Sequence, residues 1–365
     1  MRLGVVTTSY PRDAGDHAGH FVAAHVRELR AQGHDVEVIA GGGAAERAPD
    51  LIRLASPLLA AGGAPDRLER APLRALAAAA SLSVRRAATV AVRGRRWDRV
   101  IAHWLVPSAI AALPLSAPLT AIAHGGDVHT LRRLGLLAPV LHALHHRGAD
   151  LVFVSEELRA RAVTAAPRLA GWLGEALIQP MGVDLARFAA LARAPATPPE
   201  ILVVARLVPV KGVDVALAAL AHVAPGARLV IAGDGPERAR LEALARPLGD
   251  RVTFLGALPT SAIDALLARA SVVVVPSRVL PSGRSEGTPL IAVEALAAGV
   301  PVVASAVGGL AALAPAATLV PPADPVALAR AVTAILSHPP APAPLRAAIS
   351  HLAWASVAHR LVRNL

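Results

Sequence analysis

The stretch Ile201-Leu-Val-Val-Ala-Arg206-Leu-Val-Pro-Val-Lys211-Gly212 joins a short apolar run to a turn that carries two cations. The apolar run is typical of a buried strand, and a helical pattern follows Gly212. Lys211 is the one lysine in a chain with 36 arginines. A compact, movable ammonium beside the planar guanidinium of Arg206 favours an anionic ligand such as a diphosphate. The alternative is a solvated loop in which one lysine survives by chance.

Short apolar runs alternate with helical periodicity along the whole chain, which predicts an α/β fold with parallel sheets and crossover helices. The expected strands are residues 3–7, 36–40, 99–102, 119–123, 151–154, 201–204, 228–232, 252–255, 272–275 and 301–304. A stiff proline-rich connector separates the two sets of strands. We therefore expect an N-terminal domain at 1–190, a linker at 191–199, a second domain at 200–343 and a C-terminal helical segment at 344–365.

Composition excludes several classes of protein. The chain has 365 residues, 54% of them hydrophobic and 2% aromatic, so two domains with small-residue cores are expected. Without cysteine there are no disulfides, thiolate metal sites or cysteine nucleophiles. The first residues lack the apolar core of a signal peptide, and the uncharged stretches 100–126 and 295–323 are broken by proline or glycine. These features predict a soluble, cytoplasmic chain.

The formal net charge of +11 concentrates between residues 67 and 99. The arginines there are Arg67, Arg70, Arg74, Arg85, Arg86, Arg93, Arg95, Arg96 and Arg99. Nucleic-acid surfaces usually interleave such cations with aromatic residues, and this stretch has only Trp97. Two interpretations stay open: a basic helical face that contacts anionic lipid at the inner face of a membrane, or an ordinary solvated helix face.

The pattern of residues 271–294 predicts a strand, then a flexible loop, then the start of a helix. Gly287 and Thr288 stand at the expected helix entry, where unpaired amides and a partial positive charge can hold phosphate oxygens. Glu286 and Glu294 flank those amides and can project along one side of the helix. The simpler alternative makes Glu286 a helix cap.

Four motifs together resemble the retaining glycosyltransferases of the GT-B fold, family four. They are ARLVPVKG at 205–212, IAGDGP at 231–236, VTFLG at 252–256 and Glu286-x7-Glu294. The N-terminal half is similar to the family at Gly15 and Gly19, at His103-Trp104, at His124-Gly-Gly-Asp127 and at 180–184. One departure is Met181, because many family members have asparagine there.

The resemblance implies two Rossmann-like, doubly wound domains that face each other across a cleft, with a last helix that crosses back to the first domain. It implies transfer of a hexose from a UDP or GDP sugar to a lipid-linked, cell-envelope or polysaccharide hydroxyl, without a metal or cofactor. The catalytic residues that the resemblance implies are His124, Arg206, Lys211 and Glu286. The donor-binding residues that it implies are Gly15, Gly19, Gly233, Phe254, Leu255, Gly287, Thr288, Pro289, Leu290 and Glu294. His103 and Asp127 are acceptor or secondary positions.

Other functions remain open on sequence alone. A nucleotide-sugar epimerase or isomerase could use the same fold, and Lys211 could form a Schiff base with pyridoxal phosphate as in phosphorylases. A pI of about 11.5 also fits a nucleic-acid-binding protein. His142, His145 and His146 have the spacing of metal ligands on a helix, but a solvated helix face is the favoured interpretation. No Gly-x-Gly-x-x-Gly or Walker A motif is present.

Overall fold

A computed structural model describes residues 1–13, 16, 19–42, 44–55, 72–314 and 316–363, with only the backbone described at 72–80 and at 363. The chain divides into two compact units. The first unit comprises Met1–Gln179 and the residues from Val357 onward, and the second comprises Pro180–Ser356. Each unit is built around one sheet.

The first unit contains a sheet in the order β3-β4-β2-β1-β5-β6-β7-β8, parallel throughout except for the β3–β4 pair. Its strands are β1 (Arg2–Thr7), β2 (Asp35–Gly42), β3 (Glu46–Ala48), β4 (Leu51–Ala55), β5 (Arg99–His103), β6 (Leu119–Ala123), β7 (Asp150–Phe153) and β8 (Leu177–Ile178). The strands β1, β5 and β6 are buried almost completely. Such near-continuous apolar strands are expected where helices cover both faces of a parallel sheet.

The helices of the first unit follow its strands in the alternation that parallel sheets require. They are α1 (His20–Ala31), α2 (Pro72–Arg93), α3 (Ile110–Ala112), α4 (Gly126–Arg133), α5 (Leu137–His146), α6 (Glu156–Ala165) and α7 (Ala170–Glu175). In α1 the buried residues are Val22, His25, Val26 and Leu29. This i, i+3, i+4, i+7 stripe fixes which face of α1 packs inward.

The second unit contains a fully parallel sheet in the order β11-β10-β9-β12-β13-β14. The strands are β9 (Glu200–Val204), β10 (Arg228–Ala232), β11 (Val252–Gly256), β12 (Val272–Val275), β13 (Val302–Ser305) and β14 (Thr318–Val320). Successive residues of β9 enter different cores, with Leu202 in one cluster and Ile201 and Val203 in the other. The period of two along each strand therefore builds a core on both faces of the sheet.

The helices of the second unit cover both of these cores. They are α8 (Leu185–Ala189), α9 (Val213–Leu220), α10 (Arg238–Ala245), α11 (Thr260–Arg269), α12 (Leu290–Ala298), α13 (Pro325–Ser337) and α14 (Pro342–Ala348). The final helix, α15 (Trp354–Arg363), begins in the second unit, and its residues from Val357 onward belong to the first.

Both sheets have a switch point where the order of strands reverses. It lies between β1 and β5 in the first unit and between β9 and β12 in the second. In open α/β sheets, ligands bind outside the carboxyl ends of the strands at such a point. The loops after these four strands are therefore where functional side chains are expected.

The ten predicted strands are confirmed within a residue or two, as are the parallel sheets. Four strands were missed: β3, β4, β8 and β14. They have between two and five residues, and β3, β8 and β14 lie at sheet edges. Short edge strands bury little apolar surface, so their sequences carry a weak periodic signal.

The boundary between the units lies before Pro180, ahead of the proline-rich connector expected at 191–199. The connector instead runs along the second unit, where the amides of Ala194 and Ala196 donate to the carbonyls of Ala268 and Arg269. Phe188 of α8 lies in the core of that unit. Burial of this apolar side chain places the segment before the connector in the second unit.

Three arginines of the basic region make internal contacts and so do not contribute to an exposed basic helical face. Arg86 is fully buried and its Nη1 donates to Ser108 Oγ at 3.3 Å, with burial lowering the pKa of Arg86 to about 10. Arg93 pairs with Glu37, and Arg99 donates to Asp150 Oδ2 at 3.1 Å. These three arginines stabilise the first unit internally. Arg67 and Arg70 lie outside the described residues, and the side chain of Arg74 is not described.

Among the helices described, none is both long enough and apolar enough to cross a membrane. This agrees with the interpretation of the uncharged stretches 100–126 and 295–323 as strands, loops and helices of the two units.

Gly4 in β1 allows the ring of Trp97 to pack directly on the sheet, because a Cβ at this position would overlap the ring. We expect Gly4→Ala to reduce the free energy of unfolding by about 1–3 kcal/mol through overpacking. Urea unfolding followed by tryptophan fluorescence measures the change. Gly171→Ala in α7 is the control, because it meets nothing within 4 Å and should be neutral or stabilising. An unchanged transition for Gly4→Ala would contradict the packing described.

Candidate functional site

The two motifs of the second unit meet through an ion pair. Lys211 Nζ lies 2.6 Å from Glu286 Oε2, with side-chain exposures of 22% and 17%. Ser277 Oγ donates to the same carboxylate oxygen at 3.3 Å. Lys211 follows β9 and Ser277 follows β12, so the pair lies at the switch point of the sheet. The structure thus brings together two predicted catalytic residues that are 75 positions apart in sequence.

Glycine at position 212 makes this meeting possible. Gly212 has φ of 61°, and a Cβ there would overlap the carbonyl oxygen of Pro276. The amide of Arg278 donates to the carbonyl of Val210 at 2.9 Å, which ties the loop after β12 to the loop after β9. Any side chain at position 212 would push the two loops apart.

A third loop, after β10, supports Arg206. Gly233 has φ of 137°, and a Cβ there would overlap the carbonyl oxygen of Ala205. The amide of Leu207 donates to the carbonyl of Asp234 at 2.9 Å. Gly233 and Asp234 therefore hold the backbone on the two sides of Arg206, while the predicted donor-binding role of Gly233 stays a prediction.

Positive charge accumulates around this pair. Partial burial, followed by repulsion from Arg284, lowers the pKa of Arg206. Arg284 belongs to the loop after β12, so cations from both loops share one region. The charge of Arg278, in contrast, is paired with the carboxylate of Asp214. Such a concentration of cations is a favourable environment for a diphosphate.

The helix after this loop, α12, begins later than predicted. It starts at Leu290 with Pro289 as N-cap, so Gly287 and Thr288 precede the first turn. The two residues therefore lie two and three positions before the first helical residue, and not at the helix entry as predicted. Gly309 packs on this segment, and its amide donates to the carbonyl of Gly287 at 3.1 Å. The stretch before α12 is thus a supported loop.

The remaining donor-binding candidates lie on nearby elements of the second unit. Glu294 is a half-buried residue of α12, and Phe254 and Leu255 belong to β11. Leu255 is 38% exposed, while Phe254 packs against a core cluster. Their predicted contacts with a donor stay predictions.

In the first unit three histidines form a line. His25 Nδ1 lies 3.1 Å from His103 Nε2, and His103 Nδ1 lies 3.0 Å from His124 Nε2. His25 and His103 are fully buried, and His124 is partly exposed. Burial lowers the pKa of His25 and of His124 to about 3, and it lowers the pKa of His103 well below 6.5. All three imidazoles are therefore neutral near pH 7.

Aromatic rings enclose the exposed end of this line. The centroid of the His124 ring lies 4.7 Å from that of Trp104 and 5.2 Å from that of Phe21. Trp104 has φ of 73°, which is unusual for a bulky residue and costs on the order of 1–3 kcal/mol. Strained backbone of this kind concentrates at functional sites.

Asp127 holds the loop that carries His124. Its Oδ1 accepts bonds from the amides of His124, Gly125 and Val128, and its Oδ2 accepts a bond from the amide of Leu105 at 2.8 Å. Burial raises the pKa of Asp127, while these amides oppose the shift. Both carboxylate oxygens of Asp127 thus accept hydrogen bonds from backbone amides. This favours a role in forming the turn over direct contact with an acceptor substrate.

Gly19 lies at the start of α1 with φ of 73°, and a Cβ there would overlap the carbonyl of Ser9. It therefore lets the chain turn from the loop after β1 into α1. Gly15, the other predicted glycine of this loop, lies outside the described residues.

Some residues at these two sites escaped sequence reasoning. His25 sits on the apolar face of α1, where a histidine is usually a satisfied core residue, so it carried no signal. Ser277 and Arg284 were seen only as part of a flexible loop. His142, His145 and His146 of α5 are exposed, as a solvated helix face predicts. Among the described residues, no group of three or more histidine or acidic side chains is arranged to hold a metal ion.

Comparison with known proteins supports these assignments of fold and family. Residues 189–351 match the family described as Glycosyl transferases group 1. Over 256 residues the chain is 34% identical to WcaL of Escherichia coli, named as a candidate colanic acid biosynthesis glycosyltransferase, which covers 66% of this chain and 61% of WcaL. It is 35% identical over 267 residues to glycogen synthase of Mycobacterium tuberculosis, covering 68% of this chain and 62% of that protein. The chain thus spans about three fifths of the length of these relatives.

Among solved structures, HepE of Anabaena in complex with UDP and glucose superposes with a TM-score of 0.71 at 17% identity, covering 100% of this chain and 99% of HepE. Two Rossmann-like units with parallel sheets, each with a polar cluster near the carboxyl ends of its strands, define a protein of the GT-B fold. Within that fold, residues 189–351 match the group 1 glycosyltransferases, and the chain is similar to relatives named as glycosyltransferases.

The neutral histidines make the stability of the first unit sensitive to acid. Unfolded imidazoles take up protons below about pH 6.5, whereas folded His25 resists protonation down to about pH 3. The unfolded state therefore binds more protons across this window, and stability falls as pH falls. From pH 7 to pH 5 we expect His25 alone to contribute a loss of about 2 kcal/mol, and His103 to add to it in the same direction.

Urea unfolding at pH 7, 6 and 5 measures this loss through Trp97, Trp104 and Trp172, which lie in the first unit. His25→Leu should flatten the dependence, while His146→Gln, at an exposed position, should leave it unchanged. A wild-type stability that stays constant between pH 7 and pH 5 would contradict the neutral state.

Proposed function

We propose that the chain is a retaining glycosyltransferase that moves a hexose from a nucleotide-diphosphate sugar to a hydroxyl group. The observation that carries this proposal is the pair of Lys211 and Glu286, 2.6 Å apart at the switch point of the second sheet. The match of residues 189–351 to the group 1 family supports it, as does the UDP and glucose bound by the similar structure of HepE.

The cations of the second unit suit the departure of a diphosphate. Transfer breaks the bond between the sugar and the diphosphate, which leaves as an anion. Preorganised positive groups that stabilise such developing charge usually supply a large part of catalysis. In our proposal Arg206 and Lys211 have this role, and the loop amides at Gly287 and Thr288 contribute donors. With these cations we expect activity without a divalent ion or an organic cofactor.

The carboxylates and His124 have complementary roles in this proposal. Glu286 accepts hydrogen bonds from hydroxyls of the donor sugar. The ion pair with Lys211 holds the carboxylate of Glu286 in position. Glu294 accepts bonds from the ribose. His124, with its pKa lowered to about 3, meets the sugar as a neutral imidazole and so adds a hydrogen bond without charge.

For the acceptor we propose a lipid-linked, cell-envelope or polysaccharide hydroxyl. The name of WcaL refers to colanic acid and that of the mycobacterial relative to glycogen, which supports a saccharide. On α2, Val84 and Val92 are 70% and 71% exposed, and Arg85 is exposed beside them, as is Arg95 just after the helix. Apolar side chains beside cations suit shallow contact with anionic headgroups, and we propose a cytoplasmic protein that reaches the inner face of the membrane in this way.

A thermal-shift screen of UDP and GDP sugars tests the donor. Ligand binding to the native state stabilises it by about 2.7 kcal/mol at a hundredfold excess over Kd, so the melting temperature should rise by several degrees for the correct donor. Free nucleotides serve as partial ligands for comparison. No shift with any nucleotide sugar would contradict the proposal. Conversion of the donor to an isomeric nucleotide sugar without acceptor would identify an epimerase instead.

Substitutions at the ion pair test its role in catalysis. Glu286→Gln removes the charge, and Lys211→Arg replaces a compact ammonium by a rigid fork, so we expect each to reduce kcat by on the order of a hundredfold. Initial rates of transfer measure this, with circular dichroism as the check on folding. Glu157→Gln is the matched control, since Glu157 pairs with Arg161 on the surface of α6. Undiminished turnover of Glu286→Gln would exclude the assigned site.

A further inference from the structure

The three histidines of the first unit are joined edge to edge. The centroids of His103 and His124 are 5.1 Å apart with rings inclined by only 15°, and their facing nitrogens are 3.0 Å apart. For His25 and His103 the centroids are 5.3 Å apart and the nitrogens 3.1 Å apart. In both pairs the nitrogens lie between the ring centres, as two successive N–H···N hydrogen bonds require.

Because the rings are neutral, each carries one N–H, and this links their tautomers. If His103 carries its proton on Nε2, it donates to His25, and His124 must donate from its own Nε2. The Nδ1 of His124 is then a bare acceptor. If His103 instead carries its proton on Nδ1, it donates to His124, and His25 must donate from Nδ1. The Nδ1 of His124 then carries the proton and is a donor. The line has only these two fully bonded states.

The orientation of the outer ring is fixed by its surroundings. Phe21 and Trp104 lie against the His124 ring, and Asp127 binds the amide of His124 and of the next residue. Turning the ring over would break its bond with His103. Consequently Nε2 faces inward, and Nδ1 is the nitrogen left for a ligand, since no described residue hydrogen-bonds to it.

We infer that His25 and His103 are positioning residues that select the tautomer of His124, so that the buried end of the line decides whether the outer Nδ1 donates or accepts a hydrogen bond. The inference deepens the proposed function, because the ligand at Nδ1 is then a sugar hydroxyl. A hydroxyl can serve as donor or acceptor, and the selected tautomer fixes which role it takes and hence how it is oriented.

The test uses the full chain labelled with ¹⁵N-histidine, because imidazole nitrogen shifts distinguish the two tautomers. His124→Gln assigns the resonances. In the wild type we expect one tautomer of His124. His25→Leu keeps an apolar side chain in the core but removes the inner hydrogen bond, so the His124 nitrogen shifts should move towards a mixture of tautomers. His25→Asn keeps a polar amide near the Nδ1 position and should restore a single tautomer.

Val26→Ala is the matched control, because Val26 is the buried neighbour of His25 on α1. It should lower stability without moving the His124 shifts. In the transfer assay we expect His25→Leu to reduce kcat by about tenfold or more at unchanged donor KM, with partial recovery in His25→Asn.

Unchanged His124 shifts in His25→Leu would overturn the inference, whatever the activity. Equal changes in Val26→Ala would also overturn it, since general loosening of α1 would then explain them. A wild-type chain that transfers no sugar would instead contradict the proposed function, while the nitrogen shifts would still decide whether the tautomers are linked.

Discussion

The contact between Lys211 and Glu286 depends on the order of strands in the second sheet. Because β9 and β12 are neighbours, the loops that follow them leave the sheet side by side, although 67 residues separate the two strands. Hydrogen bonds and glycines then set the distance between these loops. Gly212 tolerates the carbonyl of Pro276, and Gly233 tolerates that of Ala205. The order of the strands determines which loops are neighbours, and the glycines allow their backbones to approach closely.

The polar clusters of the two units differ in their electrostatics. In the second unit, charged groups stay partly exposed, so that an ammonium and two guanidiniums can attract an anion at modest cost of desolvation. In the first unit, burial keeps His25 and His103 neutral, and their interaction is one of hydrogen bonds alone. A charged site suits a diphosphate, whereas a neutral, directional one suits the hydroxyls of a sugar. This division gives the two halves of the proposed reaction different physical environments.

Sequence reasoning succeeded where the signal was local. Buried strands such as β9 and β12 have unbroken apolar runs, so their positions were predicted without coordinates. The residues after them stand out by charge, which made Lys211 and Glu286 candidates whose roles stay predictions. It was less successful where long-range packing decides. His25 lies on a helix far from β5 and β6 in sequence, and only the fold places it against His103. Likewise, the buried state of Arg86 cannot be read from a basic stretch, because the residue is surrounded by other arginines in sequence.

The hydrogen bonds made by two arginines suggest why a lysine, and not an arginine, stands at position 211. Arg251 donates to the carbonyls of Leu220, Val223, Ala224 and Ala227, and Arg346 donates to those of Ala297 and Ala298. Apart from that of Ala227, which precedes β10, these carbonyls lie at or just beyond helix ends, where several acceptors converge and a planar fork can satisfy them together. Lys211 has one carboxylate partner at 2.6 Å. A compact ammonium on a flexible stem can leave that partner to follow a diphosphate oxygen and return, whereas a fork bound at two points would have to break both bonds together. Arg251 and Arg346 therefore stand where several fixed acceptors must be satisfied together, and lysine stands at the position where our proposed mechanism requires the charge to move.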